Sequence, residues 1–155
     1  MPRVLRKNII DEIDKKILIL LQKDSRKTYA EIAKNMSLSE TAVRNRIKKL
    51  IRNKVIKKFT VFLDIEKIGK GIMAFIGVKI GGEIGPVAAS KLINFSEVTD
   101  IYTVTGEFDL ILKVVCNDIR HLESVIEKIR ALDFTNETRS FVVLNRFKEY
   151  GEILI

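Results

Sequence analysis

The sequence predicts an α+β fold in two domains: an N-terminal helix-turn-helix and a C-terminal βαββαβ, ferredoxin-like arrangement. Before residue 55, three stretches place apolar residues at helical spacing, the last two across a turn of about four residues. After residue 71, β-branched runs alternate with two further helical patterns. Charge divides the chain at the same place. Residues 1–66 hold 17 Lys and Arg against 8 Asp and Glu, a balance of +9, whereas residues 67–155 hold 11 against 12, a balance of −1. Basicity confined to one half points to a polyanion-binding module joined to a neutral module with another task. A surface excess serving solubility alone would be spread along the chain.

The first helix is predicted from about Asp11 to Lys23, with Asp11 as N-cap, Ile13, Ile17, Leu18, Leu20 and Leu21 on one face, and Asp24-Ser25 closing it. Thr28 and Glu31 form a capping-box signature for the second, which runs to about Asn35 and buries Ile32, Ala33 and Met36. The third opens at Ser37 or Ser39 and runs to about Arg52, burying Ala42, Val43, Ile47, Leu50 and Ile51. Only "MSLS" separates the second from the third. Two short amphipathic helices across so tight a turn read as a helix-turn-helix whose last helix enters a DNA groove.

At roughly 100° per residue, with Ala42 at zero, the apolar residues of the third helix fill an arc to roughly 180°. Thr41, Arg44, Asn45, Lys48, Lys49 and Arg52 occupy the other side and, with Ser39 at the helix start, form the candidate DNA-binding set. Thr41, Arg44 and Asn45 lie near the N-terminus, where base edges are met, and the cations suit phosphates. Arg46 falls at roughly 40°, inside the apolar arc. On the first helix Asp14 is turned inward in the same way. Each is costly alone and tolerable beside the other, so an Asp14–Arg46 ion pair is expected, with charge reversal at both positions partly restoring stability. The alternative has Arg46 reaching solvent over Leu50.

"VIKKFTVFLD", residues 55–64, reads as a strand. Its Lys57 and Lys58 either add phosphate contacts or protect a free strand edge. "DIEKIGKG", residues 64–71, marks a linker. The resulting division is 1–63 for the DNA-binding domain with its following strand, 64–71 for the linker and 72–155 for the second domain. In the latter, strands are expected at Ile72–Ile80, Val98–Thr105, Phe108–Cys116 and Glu137–Lys148. Helices are expected at Pro86–Phe95 and at Asp118–Ala131, the latter with Asp118 as N-cap. Right-handed crossovers place both helices on one face of a four-stranded sheet. The stretch Phe108–Cys116 is apolar on both sides, so the uncovered face needs a partner and this half should dimerise. RNA binding on that face would need stacking aromatics on the central strands; "RSFVVLNRF" lies in the last strand and lacks the glycines.

The remaining signals are negative. A single cysteine, Cys116, and a single histidine, His121, allow neither an internal disulfide nor a zinc site, and both read as structural, with His121 exposed. Tyr102 and Thr103 either line a pocket or pack. There is no nucleophile elbow, phosphate-cradling glycine loop or metalloprotease motif, so no catalytic residue, metal or cofactor is expected. No run of eighteen apolar residues and no leader-like segment occurs, which predicts a soluble cytoplasmic protein without membrane association.

Four stretches in this order, "IDEIDKKILILLQKDSRKTYAEIAKNMSLSETAVRNRIKKL", "VIKKFTVFLD", "TGEFDLILKV" and "TRSFVVL", resemble the Lrp/AsnC, or feast/famine, family of transcriptional regulators. The resemblance implies a winged-helix-type DNA-binding domain followed by a RAM domain, assembled as dimers and often octamers that sense a free amino acid. By position, the effector site it implies includes Gly106 and Asp109 of the turn and Thr138 and Ser140 of the last strand. An ammonium acceptor (Asp109) beside hydroxyls and turn N–H groups suits a zwitterion, although Gly and Asp are also expected in any hairpin turn. Family members commonly have glycine where Ser37 and Lys54 stand and threonine where Ser140 stands; Asn53 is expected to take the left-handed conformation instead of Lys54. The expected function is sequence-specific, non-enzymatic regulation of transcription on pseudo-palindromic double-stranded DNA. Lys48→Ala and Lys49→Ala should weaken all DNA alike, and Asn45→Ala should also blunt discrimination. The competing reading is an architectural DNA-binding protein with little sequence preference.

Overall fold

The computed structural model describes residues 9–82 and 86–155. Helix α1 (Glu12–Lys23) starts at Asp11, whose carboxylate accepts from the Asp14 N–H at 2.8 Å, while Asp14 returns to the Asp11 N–H at 3.3 Å. Helix α2 (Tyr29–Met36) opens with the same reciprocal box between Thr28 and Glu31. Helix α3 (Glu40–Arg52) is capped by Ser39, whose Oγ accepts from the Ala42 N–H at 3.2 Å. Ser37 is instead the residue that ends α2, in the left-handed region at φ 54°. The three helices bury Ile17, Leu21, Ile32, Ala33, Val43, Ile47 and Leu50, with Ile13, Leu18, Leu20 and Met36 packed around them. Ile51, expected inside, is 44% exposed, because it sits at the far end of the apolar arc, beyond the reach of α1 and α2.

Helix α3 closes in a Schellman motif. The Val55 N–H reaches the Leu50 carbonyl and the Lys54 N–H the Ile51 carbonyl, both at 2.9 Å. The left-handed residue is Lys54, at φ 57°, while Asn53 has φ −82°. The bond pattern demands left-handed geometry one residue past the cap, whichever side chain stands there. Ser37→Gly and Lys54→Gly should each raise the unfolding free energy by about 1 kcal/mol, measured by denaturant titration, since a Cβ in this region is strained.

The strand expected over residues 55–64 does not form. Val55 and Ile56 turn their N–H groups back onto α3, and residues 57–64 have no ladder partner among the described residues. β-branched composition favours extended backbone, but a strand also needs a neighbour.

The chain divides into two units, one running to Phe62 and including Lys148–Ile155, the other Leu63–Phe147. The last eight residues thus group with the first unit and not with the second domain. Gln22 explains part of this: its amide donates to the Ile153 carbonyl at 3.1 Å and accepts from the Ile153 N–H at 2.7 Å. Phe62 and Tyr150 also stack, with ring centroids 3.8 Å apart.

In the second unit the order is β1 (Ile72–Ile80), α4 (Pro86–Ile93), β2 (Val98–Thr103), β3 (Leu110–Cys116), α5 (Ile119–Arg130) and β4 (Thr135–Val142). The strands form one antiparallel sheet in the order β2-β3-β1-β4. Strand β4 stops well short of Lys148, because its ladder on β1 ends where Val142 pairs with Ala74 and the Val143 N–H reaches the Met73 carbonyl. Ala74, Ile76 and Val78 of β1 and Leu110, Leu112, Val114 and Cys116 of β3 face Leu92, Leu122, Val125 and Ile129 of the two helices. The opposite face carries Phe75, Ile111 and Val115, half-buried, and Phe141, 50% exposed. Gly77 lies there under Phe108, whose ring a Cβ would meet at 2.6 Å.

Candidate nucleic-acid interface

On α3 the expected DNA-facing residues Thr41, Arg44, Asn45, Lys48, Lys49 and Arg52 are all exposed. Their side chains are not equivalent. Ser39 uses its hydroxyl as the helix cap. Arg44 donates to Glu40 at 3.2 Å and lies over the Tyr29 ring, 5.5 Å from its centroid. Lys49 leans toward Asp14, with Nζ 3.9 Å from Oδ2. Thr41, Asn45, Lys48 and Arg52 have no side-chain partner among the described residues. Lys57 and Lys58 are also exposed, and with no strand there they have no edge to protect.

Arg46 turns the other way. Its Nη1 lies 2.8 Å from Asp14 Oδ1 and 2.6 Å from Asp11 Oδ2, with Asp14 wholly buried and Arg46 27% exposed. The guanidinium is therefore held between two carboxylates and does not extend over Leu50 to solvent. Helical angles single out Asp14 alone, yet Asp11 is the second partner. It lies one turn before Asp14, where i and i+3 side chains are neighbours. The hydrogen bond from Arg46 holds the Asp11 carboxyl below its usual range, and the same bond, with that to Asp14, raises Arg46. Exchanging the charges at 14 and 46 would set a new carboxylate against Asp11 and remove the capping box. The double reversal is therefore expected not to restore stability.

In the second unit, Gly106 has φ +124°, which only glycine adopts without strain. Asp109 Oδ2 accepts from the Ile80 N–H at 2.7 Å, where the β1–β4 ladder shifts register, and the Asp109 N–H donates to the Val78 carbonyl at 3.0 Å. Thr138 and Ser140 pair with Val78 and Ile76, which puts them on the helix-covered face. The Thr138 hydroxyl accepts from Arg130 Nε at 2.8 Å. The register thus brings Asp109 and Thr138 to the two sides of the C-terminal end of β1, with Ser140 farther along. Tyr102 is exposed and donates to Asp100 at 3.2 Å, so it lines no interior.

His121 is not free on the surface. Its Nε2 lies 2.9 Å from Glu97 Oε1, with both side chains largely covered, and its Nδ1 accepts from the Asn117 N–H at 3.4 Å. That pattern assigns the proton to Nε2. The sequence pattern of one helix could not show a partner on the loop before β2. Cys116 is buried in the core, and burial pushes its thiol up, away from the reactive thiolate. The His121 hydrogen bond holds Glu97 below the usual carboxylate range, as Arg46 does Asp11. A carboxyl depressed in the folded state stabilises fully above its unfolded pKa, roughly 4, and that contribution is lost as pH falls through the folded value. The melting temperature should accordingly hold steady above about pH 5 and drop below pH 4. Glu97→Gln should flatten part of that acid limb in calorimetric scans.

Among the described residues, no group of three or more His, Cys, Asp or Glu is placed to hold a metal, and no helix is long and apolar enough to cross a membrane. Residues 10–51 match the AsnC-type helix-turn-helix domain and residues 73–153 the Lrp/AsnC ligand binding domain. The chain is 34% identical over 147 residues to the HTH-type transcriptional regulator FL11 of Pyrococcus furiosus, covering 95% of this chain and 97% of that one. AsnC of E. coli superposes with a TM-score of 0.83 at 30% identity, over 90% of this chain and 95% of its own. A transcriptional regulator from Neisseria meningitidis, solved in complex with L-Met, superposes with a TM-score of 0.82 at 26% identity, over 90% and 93%. Capped helices across a tight turn, an antiparallel sheet under two helices, and both domain matches agree: the chain belongs to the Lrp/AsnC family of transcriptional regulators.

Proposed function

We propose that this regulator binds pseudo-palindromic double-stranded DNA sequence-specifically, as a dimer or higher oligomer, and that a free amino acid modulates it. The observation that carries the reading is the outer face of α3, where Lys48 and Arg52 stand exposed beside Thr41 and Asn45 with no acidic partner among the described residues. Two such helices related by a two-fold axis fit successive major grooves. The apolar sheet face with Phe75, Ile111, Val115 and Phe141 supports self-association, since burying it against a second copy removes it from water. Support for an amino-acid effector comes from the match to a ligand-binding domain and from the Neisseria neighbour that holds L-Met. Gly106, Asp109, Thr138 and Ser140 are the candidate contacts. One Asp109 oxygen is occupied by Ile80, which fixes the carboxylate and leaves the other to accept from an ammonium.

A footprint under saturating competitor DNA tests the reading: a bounded, two-part protected region is expected, and binding with no boundary would indicate an architectural protein. Lys48→Ala should weaken all DNA by a similar factor, about tenfold per dimer, whereas Asn45→Ala should also lower the ratio of specific to non-specific affinity. Lys49→Ala should do less than Lys48→Ala, because Lys49 is drawn toward Asp14. Gel shifts on specific and scrambled duplexes measure all three.

A further inference from the structure

We infer that Arg44 reads a guanine, and that Tyr29 and Glu40 hold it in the reading pose. The inference rests on the DNA-binding reading above and deepens it. Arg44 lies one turn into α3, at the end of a recognition helix that meets base edges. Its guanidinium is restrained on two sides, by the Tyr29 ring at 5.5 Å and by Glu40 Oε1 at 3.2 Å. Both restraining residues stand on fixed ground. Tyr29 is the first residue of α2, behind the Thr28–Glu31 box, and Glu40 is the first residue of α3, behind the Ser39 cap.

A carboxylate beside an arginine distinguishes two duties. A phosphate-directed arginine gains nothing from an acidic neighbour, which offsets its charge and is itself repelled by the DNA backbone. Lys48 and Arg52, on the same face, have no such neighbour among the described residues. A base-reading arginine gains orientation, because guanine O6 and N7 must be met by two N–H groups in one plane. With one hydrogen of Nη2 on Glu40 and the ring beside it, the guanidinium keeps its remaining N–H groups for that pair of acceptors. Glu40 accepts only, so the duplex groups it can meet are the amino groups of cytosine and adenine. Tyr29 and Glu40 are positioning residues, and the three together set one base of each half-site.

Binding-site selection from random duplexes, with the full chain, tests this. The wild-type protein should select a motif with one strongly preferred guanine per half-site. Arg44→Ala should flatten that position by about tenfold and leave the others intact. Tyr29→Leu and Glu40→Gln should flatten the same position in part, while Tyr29→Phe, which keeps the ring, should retain it. Thermal melts of each variant verify that it is folded. The inference is overturned if Arg44→Ala selects the wild-type motif with the guanine undiminished, or if Tyr29→Phe and Tyr29→Leu behave alike. A wild-type protein that selects no motif at all gives a different result, the failure of sequence-specific binding itself.

Discussion

Replacing Arg46 by methionine will lower the unfolding free energy by about 3 kcal/mol. Methionine keeps most of the side-chain volume but leaves the wholly buried Asp14 carboxylate without its nearest cation. Lys49, at 3.9 Å, is too far and too exposed to replace it. Asp14→Asn is expected to cost less. The amide keeps one oxygen, which can still accept from Arg46 while the 3.3 Å bond from the Asp11 N–H is lost, and Arg46 keeps Asp11 as its charged partner. Denaturant titrations of Arg46→Met, of Asp14→Asn and of the variant carrying both changes provide the cycle. Equal losses for Arg46→Met with and without Asp14→Asn would show that the buried charge is not the cause. Asp11→Ala removes only the exposed partner and the helix cap, and should cost less than Arg46→Met.

Affinity for DNA will fall about ten-thousandfold between roughly 50 and 200 mM salt. Each copy presents Lys48, Arg52, Lys57 and Lys58 without acidic partners among the described residues, which is about eight phosphate contacts in a dimer, and each contact releases condensed counterions. Fluorescence anisotropy across that range measures the slope. A change of less than about tenfold would remove these four side chains from the phosphate interface. The double variant Lys57→Ala, Lys58→Ala should reduce the slope by about a third to a half without altering sequence preference, which separates the segment after α3 from α3 itself.

Much of this molecule is legible in its residues, because the signals concerned are local. The Thr28–Glu31 box, the Asp118 cap and the inward angles of Asp14 and Arg46 each depend on a handful of neighbouring positions. The strands of the second unit follow from β-branched runs bounded by turn residues. What sequence reasoning misses depends on partners distant in the chain. The segment 55–64 has the composition of a strand, but no second strand lies beside it among the described residues. Strand β4 ends where β1 stops offering bonds. Nothing within α5 announces that His121 will meet Glu97, and nothing in "TGEFD" shows that Asp109 will hold the N–H freed by an irregularity in β1. Lys54 is a different case. The Schellman bonds select a position, and side-chain preference yields to it.

The return of Lys148–Ile155 to the first unit has a topological consequence. The chain leaves the first unit at Phe62 and returns to it at Lys148, so Leu63–Phe147 is an insertion in the sequence of that unit, and the ligand-binding match over residues 73–153 runs past its end. Among the contacts that join Lys148–Ile155 to the helices are an exposed pair of hydrogen bonds between Gln22 and Ile153 and the Phe62–Tyr150 ring stack. The Ile153 bonds are exposed to water, so its amide proton should exchange by local opening and not by global unfolding of the helices.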